Sequence, residues 1–148
     1  MAGLVELRAA AEDYQKQHGT LWLGEFASFY LGEKRTCDPA ESCAMQSLAP
    51  EAGRSDKLSR AVFQTELLKV AKAVASGLPH VDRKPDMDGA WAFLAMLVGG
   101  VTLARAVKDE KLAEDIAGAV RNASLTHQRL SQLGPTDAII KSLKSDRS

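Results

Sequence analysis

The stretch GAWAFLAMLVGGVTLA, residues 89–104, decides the fold because it contains no charged residue and combines large apolar side chains with glycine and alanine. Its 16 residues are too few for a transmembrane helix, which needs roughly 20, and Arg105 follows directly. A helix that is apolar all round must be covered on every side. The stretch therefore predicts a buried helix of a soluble, cytoplasmic protein that does not contact a membrane.

Glycines, prolines and capping residues divide the rest of the chain into further helices. Predicted helices span residues 3–17, 21–31, 38 to just before Pro50, 55–76, 89–107 and 110–133. The candidate N-caps, whose side-chain oxygens would accept hydrogen bonds from free backbone N–H groups, are Thr20, Asp38, Ser55, Asp86 or Asp88, and Asp109. The apolar residues of segment 55–76 form two stripes, so this helix is expected to lie between two layers.

No segment alternates apolar and polar residues as a half-buried strand would. The sequence therefore predicts an all-α fold, an antiparallel bundle of about six helices. A chain of 148 residues suffices for one domain with a core. We assign that domain to residues 1–133, followed by a short polar tail over residues 134–148.

The charge balance limits the partners of this chain. Lys and Arg total 19, Asp and Glu total 19, and the formal net charge is zero. Binding to nucleic acid needs an excess of basic residues, so no contact with nucleic acid is expected from this stretch. Residues 1–11 carry Glu6 and Arg8 within an apolar pattern, which is unlike a secretion signal.

The candidate chemistry of the sequence is sparse. Two cysteines, Cys37 and Cys43, make neither a disulfide framework nor a zinc quartet, and whether either is redox-active stays open. The three histidines, His18, His80 and His127, are scattered along the chain. Because no catalytic triad order or glycine-rich phosphate loop is present, we expect no enzyme activity, no metal and no cofactor.

The last two long helices carry small residues among large apolar ones, a pattern that lets helix backbones approach closely. We predict that these helices meet their copies in a homodimer as a four-helix bundle. The predicted interface residues are Leu97, Gly100, Val101, Ala104, Ala113, Ile116, Ala117 and Val120. The alternative is a monomer in which the two helices form the centre of the core.

Aromatic side chains recur at i, i+4 and i+8 in the second predicted helix. Large aromatic and flexible side chains around a cavity suit a small hydrophobic or aromatic ligand, and Tyr30, Gln46 or Gln64 would fix its orientation. The residues expected to converge are Trp22, Phe26, Tyr30, Met45, Phe63, Leu67, Trp91, Phe93 and Met96. The alternative is that these side chains simply fill the core.

Four stretches, read together, resemble the C-terminal, effector-binding domain of the tetracycline-repressor (TetR) family of transcriptional regulators. They are residues 29–31 continuing through 42–48, residues 55–78, residues 95–107 and residues 108–113. The resemblance covers roughly residues 14–130. It implies ligand sensing and dimerisation, with DNA bound only by a helix-turn-helix for which there is no room before Gly3.

The function that we predict is that of a ligand-sensing and dimerisation domain of a TetR-like transcriptional regulator or repressor. A small hydrophobic effector would control DNA binding by a full-length chain. The alternative is an autonomous helical dimer, acting as a protein-interaction module or as a modulator of a full-length paralogue.

Overall fold

The computed structural model describes residues 2–32, 44–80 and 83–132, and short connections join the helices within these ranges. A single 3₁₀ turn, Gly19–Leu21, joins the first two helices, and no strand occurs in these ranges. The helices are α1 (Ala2–His18), α2 (Trp22–Leu31), α3 (Ala44–Arg54), α4 (Lys57–Ser76), α5 (Met87–Ala106) and α6 (Glu110–Gln132). The prediction of an all-α fold with about six helices is confirmed.

Some predictions concern residues outside the described part. They are those on Cys37, on Cys43, on the Asp38 cap, on the tail 134–148, and on the side chains of Met45, Gln46 and His127.

Two of the predicted caps start the helices that follow them. The Asp86 carboxylate accepts a hydrogen bond from the Gly89 amide at 2.8 Å, at the start of α5. The Asp109 carboxylate accepts from the Leu112 amide at 3.3 Å, at the start of α6. Each carboxylate satisfies a backbone donor that the helix itself cannot.

The other caps differ from the prediction. Helix α4 is capped by Asp56, whose carboxylate accepts from the Ser59 amide at 2.8 Å, and this bond lowers the pKa of Asp56 below its ordinary value. The predicted cap, Ser55, instead donates its hydroxyl to the Ala52 carbonyl at 2.8 Å and closes α3. Helix α2 has no side-chain cap, because Thr20 lies inside the 3₁₀ turn.

Pro50 does not end the third helix as predicted, since it lies inside α3. Proline removes one backbone hydrogen bond from a helix interior. Helix α3 packs against α1, α4 and α5, and such tertiary packing outweighs a local preference.

Helix α5 forms the centre of the bundle, as the uncharged stretch predicts. It packs against α2, α3, α4 and α6, and Ala90, Phe93 and Leu97 are fully buried. By length and composition α5 could also cross a membrane, and 44% of its most apolar window is buried inside the described structure. Contact with four other helices is typical of a core helix. The cytoplasmic location stays a prediction.

Helix α4 is buried over only half of its length, which corrects the prediction of a sandwiched helix. Val70 and Val74 in the C-terminal half are buried, whereas Leu58 is 77% exposed and Val62 is 45% exposed. In the first half of α4, Leu58 and Val62 therefore point outward, and Phe63 packs against the core.

Candidate functional site

Four of the aromatic residues predicted to bind a ligand form a packed cluster instead. Trp22, Phe26, Tyr30 and Phe93 are each at most 2% exposed. The ring centroids of Phe93 lie 6.1 Å from those of Trp22 and 6.3 Å from those of Phe26. Aromatic rings attract one another at such distances. These four side chains pack against one another in the core, and their assignment to a ligand pocket stays a prediction.

Polar contacts fasten this cluster to the end of α4. The Trp22 indole Nε1 donates to the Gly77 carbonyl at 2.7 Å, and the Gln15 amide donates to the Ala73 carbonyl at 2.8 Å. Trp22 also borders a hollow of about 220 Å³ that is formed with Thr20 and the segment after Ser76. The Trp22 ring, which this hydrogen bond holds in place, forms part of the wall of the hollow and also packs in the core.

A different depression collects three of the predicted ligand residues, Phe63, Leu67 and Trp91. A volume of about 200 Å³ opens between α3, α4 and α5. Its lining consists only of apolar residues, namely Ala49, Phe63, Leu67, Trp91, Leu94, Ala95 and Val98. We call this depression, with the neighbouring volume described next, the α3–α4–α5 groove.

The groove continues along α4 into a second volume of about 270 Å³. The two volumes share Ala49, Phe63 and Leu67, so they adjoin. The second one adds polar groups near the start of α4. Its further lining residues are Ala52, Gly53, Arg60 and Gln64.

Helix periodicity explains the groove wall that α5 provides. Trp91, Leu94, Ala95 and Val98 stand at i, i+3, i+4 and i+7, which places them on one helix face. Trp91 is 36% exposed, in contrast to the buried Trp22. From the sequence we grouped Trp91 with Phe93 and Met96, but Trp91 and Phe93 are two residues apart on a helix and therefore point in nearly opposite directions. The i, i+3, i+4 and i+7 spacing from Trp91 to Val98 was the sequence signal that could have identified this face of α5.

The charged side chains of α4 near the groove differ in whether they form ion pairs. Glu66 on α4 accepts a hydrogen bond from Lys69 Nζ at 2.7 Å, and that bond lowers the pKa of Glu66 below its ordinary value. Arg60 is exposed and forms no ion pair within the part of the chain that the structure describes. Among the described residues, Arg60 is therefore the charged residue of the groove lining, and it has no ion-pair partner there.

The residues predicted to form a dimer interface lie mostly inside one chain. Ile116 and Val120 are half-buried. The other six are covered by the chain's own helices: Leu97, Gly100, Val101, Ala104, Ala113 and Ala117. These six residues are buried within the single chain, and the predicted dimer interface stays a prediction.

The reason is the position of α2, which packs on both α5 and α6. A Cβ atom on Gly100 would lie 2.9 Å from a methyl group of Leu31 at the end of α2, and 3.0 Å from Val120 on α6. The small residues therefore allow three helices of the same chain to approach closely. The outward apolar side chains of α5 and α6 are different ones, among them Leu103, 60% exposed, and Leu112, 45% exposed.

No group of three or more His, Cys, Asp or Glu side chains that could hold a metal ion occurs in the described ranges. The expectations of no enzyme activity and no cofactor stay predictions.

Comparisons of the chain with family models, with curated proteins and with solved structures give no match. The resemblance to the TetR family therefore stays a prediction. The structure shows an all-α bundle with a surface groove between three helices.

Proposed function

We propose that this chain is a ligand-binding and dimerisation domain of the kind found in TetR-like regulators, with the ligand in the α3–α4–α5 groove. The observation that carries the proposal is the wholly apolar wall of the groove, to which three separate helices contribute. Apolar concave sites with a few polar groups are the usual form of small-molecule sites. The ligand is a small hydrophobic or aromatic molecule.

The packing of the helices suggests how binding would be transmitted. A molecule in the groove contacts α3, α4 and α5 together, and so favours arrangements in which these helices lie close. Helix α1 packs against both α3 and α4. In a full-length regulator, a shift of the first helix would change the spacing of two DNA-reading heads.

Binding of a ligand to the groove should be visible as thermal stabilisation. A compound present at a hundredfold excess over its Kd adds about 2.7 kcal/mol to the free energy of unfolding, roughly 5–10 °C in Tm for a domain of this size. We expect this from some members of a panel of small aromatic and aliphatic compounds. The measurement is a thermal-shift assay with the wild-type chain and with Trp91→Ala.

Trp91→Ala should lose most of the stabilisation by ligand, because Trp91 lines the apolar wall. The matched control is Val5→Ala on α1, which removes a similarly exposed apolar side chain outside the groove and should keep the response. If no compound stabilises the wild-type chain, the proposed ligand site is wrong.

Dimerisation, in this proposal, uses the outward sides of α5 and α6. Leu103 lies near the end of α5 and Leu112 in the first turn of α6, so both are at the same end of this helix pair. We expect the wild-type chain to sediment as a dimer, and the double variant Leu103→Lys, Leu112→Lys to sediment as a monomer. The readout is sedimentation velocity at several protein concentrations.

A second candidate function, a protein-interaction module, is favoured by the exposed apolar residues Leu58 and Val62 on the first half of α4. Their spacing of four residues suits contact with a helix of another protein. The double variant Leu58→Lys, Val62→Lys is the control for the sedimentation experiment. It should remain dimeric, and a monomeric wild-type chain would favour the interaction module.

A further inference from the structure

The two ends of the α3–α4–α5 groove differ in chemistry. The end beside α5 is lined by Trp91, Leu94 and Val98 and carries no polar side chain. The end beside the start of α4 carries Arg60 and Gln64. A molecule that fills the whole groove therefore meets hydrocarbon along one part and a guanidinium with an amide at the other.

The guanidinium of Arg60 forms no ion pair with the acidic side chains of its own helix. The Asp56 carboxylate, one turn earlier, accepts hydrogen bonds from the amide and hydroxyl of Ser59. The Glu66 carboxylate, farther along α4, is paired with Lys69. Arg60 itself has no ion-pair partner among the residues that the structure describes. Among the described residues, the hydrogen-bond donors of the Arg60 guanidinium are thus available to a bound group.

We propose that the groove binds an amphiphilic anion, a medium-chain or aromatic carboxylate whose apolar body lies against Phe63, Leu67 and Trp91 and whose carboxylate binds Arg60. The planar guanidinium donates two parallel hydrogen bonds to a carboxylate, a geometry that an alcohol or an amine cannot match. The inference rests on the groove being the ligand site, and it adds the chemical class of the ligand.

The two parts of the ligand contribute differently. Burial of the apolar body supplies most of the affinity. Arg60 is exposed, so its charge is screened by water and salt, and it supplies selectivity more than affinity. We expect a carboxylate to bind about fivefold more tightly than the alcohol with the same chain at low ionic strength, with the preference shrinking as salt is added.

The test uses three probes with one hydrocarbon chain: octanoate, 1-octanol and octylammonium. Trp91 fluorescence reports binding, because Trp91 lines the groove while the other tryptophan, Trp22, is buried. The expected order of affinity is octanoate first, 1-octanol second and octylammonium last. Trp91→Phe should remove the fluorescence change.

Variants that change one charge then test whether Arg60 causes the preference for octanoate over 1-octanol. Arg60→Gln should bind 1-octanol like the wild-type chain and lose the preference for octanoate. Arg60→Lys should retain part of it. Lys72→Gln is the matched control, since it removes the same charge from an exposed residue of the same helix, about 18 Å along the axis, and it should keep the full preference. Circular dichroism checks that each variant is folded.

Each result decides one of the two claims. Equal binding of octanoate and 1-octanol by the wild-type chain would overturn the anion inference and leave the groove as an apolar ligand site. A preference for octanoate that survives in Arg60→Gln would overturn the role of Arg60. If none of the three probes changes the fluorescence of Trp91, the groove itself is not a ligand site and both claims fall.

Discussion

Replacement of Phe93 by alanine is expected to lower the free energy of unfolding by about 3–5 kcal/mol. Phe93 is fully buried, and its ring packs against Trp22 and Phe26 at centroid distances of 6.1 and 6.3 Å. The substitution removes both ring contacts and leaves a cavity, because α2 and α5, the two helices that carry these residues, relax only partially around it. Domains unfold with only about 5–15 kcal/mol, so a large share of the stability is lost.

The matched control lies two residues earlier on the same helix. Trp91→Ala removes an even larger ring, but one that is 36% exposed and faces the groove. We expect it to cost less than half as much as Phe93→Ala, and to impair binding of octanoate instead. Urea denaturation of both variants and of the wild-type chain gives the two differences. Equal losses would contradict the difference in burial between the two rings, whereas a Phe93→Ala variant that is stable but does not bind would assign Phe93 to a ligand site.

The positions of the helices could be predicted from the sequence more reliably than the tertiary contacts that each helix face makes. The absence of charge in residues 89–104 and the acidic residues that precede helices α5 and α6 determined the main elements, because those signals are local. The aromatic repeat of Trp22, Phe26 and Tyr30 placed these residues on one inward face, as observed. Whether an inward face meets a cavity or a ring of Phe93 depends on side chains from distant parts of the chain, and periodicity does not contain that information.

Six of the residues predicted to form a dimer interface are buried in the chain's own core for a related reason. Small residues on α5 and α6 indicate close helix packing, and the packing is present, but the helix that approaches is α2 of the same chain. The sequence does not show that α2 lies across α5 and α6, since this depends on how α1 and the turn at Gly19 direct the chain. Gly19 has a φ of 54°, a backbone conformation that glycine adopts without strain.

The adjacent glycines of α5 should respond in opposite directions to the same substitution. Gly100→Ala is expected to lower the free energy of unfolding by about 1–3 kcal/mol, the usual cost of an overpacked core. The new methyl group would lie 2.9 Å from Leu31 and 3.0 Å from Val120. Leu31 is fully buried, so its side chain has little room to move away.

Gly99→Ala is the control and should instead raise the free energy of unfolding by about 0.5–1 kcal/mol, because alanine is the better helix former. A Cβ atom on Gly99 meets no heavy atom within 4 Å. Urea denaturation at a low protein concentration, where any dimer dissociates, measures both effects within one chain. If Gly100→Ala were neutral or stabilising, α2 would not press on α5 at this point, and the small residues of α5 would again be available to a second copy. A destabilised Gly100→Ala that still sediments as the wild-type chain does would separate the two roles: Gly100 holds the bundle together, and the contact between copies lies elsewhere on α5 and α6.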